Sequence, residues 1–352
     1  RRRRDEEKRK KALIEQKKAI KPQVTRINVG ATQERASGID AMCFLRPFQS
    51  STSICLATHK GVVQEWDYSK KALVYETKQQ HFNLPLEGKK DEKKPRVERT
   101  VGVCEVGTSA TQSDGKLCRK IASCTNRGSM RITSLPSKDN KESLFSVGHP
   151  VHKMRPCPAA NHVVALGVKD LDLRLYDLNE QKQSWKAKNV PHDWLNMAVP
   201  IWVNDIQFAS SSSSGNTPAD GGHTIFVGTG YSEVRLYDTR ASNQPVSNYF
   251  IASPTGDKPP FMSLCPSNEG KGVFAGDTQG RVVKIDMGSG KVVSTFKGFS
   301  GSVRGLALDP TETLLVSVSL DRYLRVHDVL SRKQLMRVYL KQRLSTLLLQ
   351  NE

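Results

Sequence analysis

Along most of the chain, apolar and polar residues alternate in short runs separated by Gly, Ser, Asn, Asp and Lys, the two-residue period expected of half-buried β-strands. The runs come in groups of four. The first group reads IDAMCFL, SICLATH, VVQEWDY and ALVYETK. Later groups include VNDIQF, HTIFVGT, EVRLYDT and VSNYFI, then FMSLCPS to VVSTFKG and SVRGLAL to QLMRVYL. The third run of a group closes on an aromatic or apolar residue followed by Asp: Trp66-Asp67, Tyr176-Asp177, Tyr237-Asp238, Ile285-Asp286 and His327-Asp328. A degenerate copy ends at Thr133-Ser134. Successive endings lie 67, 43, 61, 48 and 42 residues apart.

Three of these intervals lie near the ~40–45-residue period of a WD-repeat propeller blade, and the other two carry insertions. A 352-residue chain exceeds the ~250–300 residues over which one core keeps growing, which favours radial repetition. The expected fold is all-β, a seven-bladed WD-repeat β-propeller with six blades clear and a seventh incomplete, for which LSTLLLQ supplies one strand. Residues 1–22 read as a basic extension and 23–352 as the propeller. The segments 79–99, Thr108 to Lys116 and ASSSSSGNTPADGG read as exposed insertions, because their composition cannot pack. In WD repeats a His before the first strand, a turn Asp and the aromatic of the dipeptide can form a buried hydrogen-bond network. Gly148-His149, Asp170 and Asp321 occupy such places, although the set is incomplete in almost every repeat.

The formal net charge is +19, a long-range positive potential that attracts polyanions, with nucleic acid the first to suspect. Residues 1–21 hold eleven Lys or Arg against four acids and so carry +7 of it. This segment reads either as a solvated tail or as a helix laid on RNA or on a partner. The seven cysteines are scattered with no CxxC spacing, consistent with a reducing compartment. No apolar run approaches the ~18 residues of a membrane span, so no membrane partner is expected.

Catalytic chemistry finds no foothold. GxSxG, HExxH and P-loop motifs are missing, and the carboxylates fall at turns, where Asp closes the backbone. His149 and His152 form an HxxH pair with Pro between them and no ligand cluster nearby, which is poor metal-site chemistry. Neither a cofactor nor a small-molecule substrate is implied.

The most distinctive stretch is KAKNVPHDWLNMAVPIWVND, an apolar, Trp-rich linker where a polar one is expected. Asp193, Trp194 and Trp202 are its candidate partner-binding residues, against the alternative that both Trp side chains pack on the propeller itself. Lys186 and Lys188 flank it as candidate phosphate contacts. Of the basic residues in the last repeats, Arg304 and Arg322 are the candidates for an RNA-facing rim. Tyr237-Asp238-Thr239-Arg240 is similar to the signature of WD-repeat substrate receptors for cullin ubiquitin ligases, or is simply an Arg paired with a nearby acid.

The linker with its continuation IQF, then VGTGYSEVRLYD, KGFSGSVRGLALDP, LDRYLRVHD and VYLKQRLSTLLL, resembles the nucleolar WD-repeat assembly factors of the large (60S) ribosomal subunit. The likeness is distinctive over residues 148–349 and extends over 38–147 only as blade pattern. It implies a seven-bladed noncatalytic propeller in the nucleus and nucleolus. It also implies pre-60S assembly factors and pre-rRNA as partners, and removal from the particle by an AAA-family ATPase. Asp193, Trp194, Trp202, Arg304 and Arg322 fall within the matching segments. The basic N-terminal run departs from the family pattern.

Overall fold

The structure, a computed structural model, describes residues 24–27, 38–45, 53–59, 61–77, 99–109, 118–135, 142–209, 222–268 and 270–350. The basic extension, the 79–98 insertion, residues 110–117 and residues 210–221 of the Ser-rich loop lie outside the described residues. Every regular element among the described residues is a β-strand, and the strands form six four-stranded antiparallel sheets. Blade 1 holds β1 (Ile39–Phe44), β2 (Ser53–Thr58), β3 (Val63–Asp67) and β4 (Ala72–Glu76), and blade 2 holds β5 (Thr100–Ser109), β6 (Cys118–Thr125), β7 (Ser129–Leu135) and β8 (Glu142–Ser146). Blade 3 holds β9 (Lys153–Pro156), β10 (Val163–Gly167), β11 (Arg174–Asp177) and β12 (Lys182–Lys186), and blade 4 holds β13 (Val203–Phe208), β14 (Thr224–Thr229), β15 (Glu233–Asp238) and β16 (Ser247–Phe250). Blade 5 holds β17 (Phe261–Pro266), β18 (Gly272–Asp277), β19 (Val282–Asp286) and β20 (Val292–Phe296), and blade 6 holds β21 (Val303–Leu308), β22 (Leu314–Ser319), β23 (Tyr323–Asp328) and β24 (Gln334–Tyr339).

Within each sheet the strands pair in chain order, and the first strands β1, β5, β9, β13, β17 and β21 pack side by side around the centre. The core therefore lies between blades. Phe274 and Phe296 of blade 5 meet Val303 and Leu315 of blade 6, while Ala165 and Leu175 of blade 3 meet Ile206 and Tyr237 of blade 4. Fourth strands are mostly exposed, as in β4 and β12; in β12 the lysines at both ends charge the outer edge, which discourages it from templating further strands.

The Asp that closes each dipeptide has a plain local cause. Asp67, Asp177, Asp238, Asp286 and Asp328 each use Oδ1 to accept the backbone N–H two residues on, at 2.8–3.3 Å, closing the turn into the fourth strand. Ser134 stands where the degenerate copy lacks this Asp. A second regularity is a register shift early in the first strand, between Ile39/Ala41, Thr100/Gly102, Val203/Asp205, Phe261/Ser263 and Val303/Gly305. It leaves one residue unpaired in each case: Asp40, Val101, Asn204, Met262 and Arg304.

Among the described residues the expected network is not assembled from its expected members; in blade 6 the turn Asp321 gathers different ones. Asp321 accepts from Arg325 at 2.5 Å, from the Tyr323 and Ser300 backbone N–H groups, and from the Ser319 hydroxyl. In blade 3, Tyr176 reaches His149 Nε2 at 3.5 Å, but Asp170 is exposed at φ +63° and Arg174 takes the inner place beside His149.

The ring closes without a seventh sheet among the described residues. After β24 the chain turns into the space between blades 6 and 1. There Ser345 donates to the Ile39 carbonyl at 2.7 Å, Leu347 packs against Gly305, and Tyr68 donates to Gln350 at 2.9 Å. LSTLLLQ thus lies where a further first strand would lie, but it makes no β-ladder and is held by side chains. A Cβ on Gly305 would sit 3.0 Å from the Leu347 Cβ, so glycine allows the close approach of this segment.

Candidate interaction face

In these four-stranded sheets the starts of first strands, the turns between second and third strands and the ends of fourth strands share one face of the ring. Lys186, Lys188, Asp193, Trp194, Trp202, Arg304 and Arg322 all belong to that face. They do not form one patch: the first five lie at blades 3 and 4, and the arginines lie at blade 6.

The linker between β12 and β13 is a built loop. At its base Asn189 donates to the Val199 carbonyl at 2.7 Å and accepts from the Val190 N–H and from Arg235 Nη1. Arg235 is 1% exposed and is fixed to Glu233 at 2.7 Å, so the loop stands on a buried ion pair of blade 4. At the tip the Asp193 N–H donates to the Met197 carbonyl, the Asp193 carbonyl accepts from the Asn196 N–H, and the Asp193 carboxylate accepts the Leu195 and Met197 N–H groups. Asn196, at φ +57°, completes the turn. The result is an apolar tip with Trp194 90%, Leu195 56% and Met197 61% exposed.

Trp202 does the opposite job. Its ring packs against Gly230, where a Cβ would fall 2.4 Å away, and lies edge-on to His152 and Tyr231, with Lys169 Nζ 5.2 Å above it. It pairs with Lys169 by an isolated β-bridge and fastens blade 3 to blade 4. The structure thus separates the two tryptophans, one packing inward and one projecting outward. Lys186 and Lys188 are exposed, with the Lys188 backbone tied to the Asn243 carbonyl.

Arg304 lies half-buried at the shifted position of β21, with its Nε enclosed and without a hydrogen-bond partner. Burial pushes its guanidinium pKa down. Lys153 of blade 3 is also pushed down by burial, opposed by the Asp205 carboxylate, with Arg155 and Arg304 adding to the depression. Asp205 joins Lys153 at 3.5 Å, Arg155 at 3.4 Å and the Leu264 N–H at 2.8 Å, locking blades 3, 4 and 5 together. Arg322 is exposed at the turn between β22 and β23.

Arg240 folds back on Asp238 of its own turn at 2.9 Å. His149 contacts Arg174 and Tyr176, and His152 contacts Trp202, so the HxxH residues are engaged separately. No group of three His, Cys, Asp or Glu side chains among the described residues is arranged to hold a metal ion.

The buried arginines were missed by the sequence reading, yet they leave a signal. Arg131, Arg174, Arg235 and Arg325 each stand three residues before the end of the dipeptide in their third strand, and three of these four are buried.

No family model matches the chain. WD repeat-containing protein 74 from Homo sapiens is 36% identical over 244 residues, covering 68% of this chain and 58% of that protein. The Bos taurus protein of the same name is 35% identical over 253 residues, covering 70% and 62%. Ribosome biogenesis protein NSA1 from Meyerozyma guilliermondii is 27% identical over 235 residues, covering 57% and 55%. The chain spans about three-fifths of the length of the first two relatives. With its six described blades and these likenesses, the chain is a WD-repeat β-propeller protein homologous to WD repeat-containing protein 74 and to ribosome biogenesis protein NSA1.

Proposed function

We propose that this protein is a noncatalytic assembly factor for the large ribosomal subunit, acting in the nucleolus on pre-60S particles. It docks protein neighbours through the Trp194 tip and touches pre-rRNA through cations on the same face, including Lys186, Lys188, Arg304 and Arg322. Relatives named for ribosome biogenesis support the process. The observation that carries the docking role is the tip itself, a nearly fully exposed Trp beside Leu195 and Met197, held on a rigid base. Exposed aromatic anchors of this kind dominate binding energy at protein interfaces. An isolated apolar tip has no value to the fold, because its side chains bury almost nothing. Release by an AAA-family ATPase belongs to the same reading.

Affinity purification of the tagged protein from nuclear extract, with RNA and protein both identified, tests this. The expected result is precursor rRNA of the large subunit together with other assembly factors, and loss of those proteins with Trp194→Ala. Recovery of a ligase adaptor without rRNA precursors would support the cullin reading instead. That reading rests on Arg240, whose guanidinium is engaged by Asp238.

A further inference from the structure

We infer that the outer corner of blade 6 is a stacking site for single-stranded RNA, an inference that rests on the RNA-contact part of the proposed function and gives it a place. The corner is a column of alternating cations and rings. Arg325, fixed by Asp321 at 2.5 Å, lies 4.9 Å over Phe299 and 5.2 Å over Tyr323. Arg337 stacks on Tyr323 at 3.7 Å, and Tyr339 lies 5.0 Å from Tyr323. Arg322 Nη1 donates to the Tyr339 hydroxyl at 3.3 Å, and the Leu340 N–H donates to the Arg322 carbonyl at 2.9 Å. In the inner half of the column Arg325 is buried and paired, with Phe299 and Tyr323 half-buried; the outer half, Arg337 and Tyr339, faces solvent, with Tyr339 46% exposed.

Charge points the same way. Arg322, Arg337, Lys341 and Arg343 are all exposed, and none makes an ion pair among the described residues, whereas the neighbouring Arg325 is satisfied. Arg322 has φ +73° at a turn position that blades 1, 2 and 5 fill with Gly61, Gly128 and Gly280, and Lys341 has φ +64°. A side chain other than Gly at such a backbone position is unfavourable, and blades 3 and 4 likewise carry non-glycine residues at that turn position, Asp170 at φ +63° and Ser232 at φ +61°. Rings and guanidinium planes beside unpaired cations match what a flexible strand offers, namely base faces to stack and phosphates to neutralise. An acidic peptide would use the cations but not the rings, and a duplex hides its base faces.

The test is fluorescence anisotropy on the full chain with labelled single-stranded RNA of about a dozen nucleotides. Duplex RNA and polyglutamate are the comparison ligands. Tyr339→Ala is expected to weaken single-strand binding about tenfold with little change in salt dependence, and Tyr339→Phe to stay near the parent. Arg322→Gly keeps the turn and removes a cation. It is expected to flatten the slope of log affinity against log salt by about 0.7 while thermal unfolding stays unchanged or rises. Parent-like binding by Tyr339→Ala would overturn the inference, as would equal affinity for polyglutamate with the same sensitivity to the substitution. If the parent protein recovers precursor rRNA from extract while Tyr339→Ala binds RNA normally, this site fails and the proposed function stands. If Tyr339→Ala loses oligonucleotide binding but no rRNA precursor is recovered, the site stands and that function fails.

Discussion

At the scale of single residues, the side chains that make this fold specific are polar and sit at turns. Hydrogen bonds from Arg325, Ser319 and two backbone N–H groups outweigh the opposing effect of burial and hold the Asp321 carboxyl at about 2, below its ordinary 3.8. A depressed folded-state pKa contributes stability that is complete above the unfolded value and is lost as pH falls toward the folded one. The chain should therefore lose stability between roughly pH 4 and pH 2 from this group, by about 1 kcal/mol once solvent screening of the pair is allowed for. Unfolding midpoints across that window check it, and Asp321→Asn should flatten the dependence. His327 acts in the same direction at higher pH. Burial against Phe296 and Phe299 pushes its pKa down, so stability is lost as pH drops below its ordinary 6.5. The closing Asp residues were legible in the sequence because a short-range turn needs only local neighbours. The replacement of His by Arg325 around Asp321 was not, since it depends on which strand faces lie between blades.

At the scale of elements, the linker between blades 3 and 4 shows how one apolar segment serves two purposes. Its Trp content marked it in the sequence, but which Trp packs is decided by Gly230, outside the linker in the turn between β14 and β15. Gly230→Ala would place a methyl 2.4 Å from the Trp202 ring and should destabilise the protein by about 1–3 kcal/mol. Trp194→Ala should leave stability within about 0.5 kcal/mol, because the side chain is almost wholly exposed. Chemical denaturation of the two variants side by side checks the contrast; equal losses would contradict the separation of roles. The four-strand grouping itself was readable from alternation, and strand boundaries such as those of blades 1, 4 and 6 follow the apolar runs closely. The first strand of blade 3 was harder to read, because β9 is short and carries Lys153 and Arg155 for the buried contact with Asp205.

At the scale of the whole molecule, closure and charge are the two global properties. The segment 344–350 spans the space between blades 6 and 1, and Gly305 sets how closely it packs. Gly305→Val should displace Leu347, lower the unfolding midpoint and raise hydrogen exchange in β1 and β21 before the middle blades; uniform exchange would argue against a local closure. The net charge of +19 was plain in the composition, whereas its division into buried ion-pair partners such as Arg235 and exposed cations stacked on a ring, such as Arg337, needed the folded chain. Docking through the exposed Trp194 tip is the property proposed for the assembled ring. Its most direct test is sedimentation of nuclear extract with the parent and Trp194→Ala proteins expressed at matched levels and with matched thermal stability. The account predicts that the parent migrates with large-subunit precursors while the variant shifts to the free fractions; equal migration of both with those particles, or of neither, would contradict it.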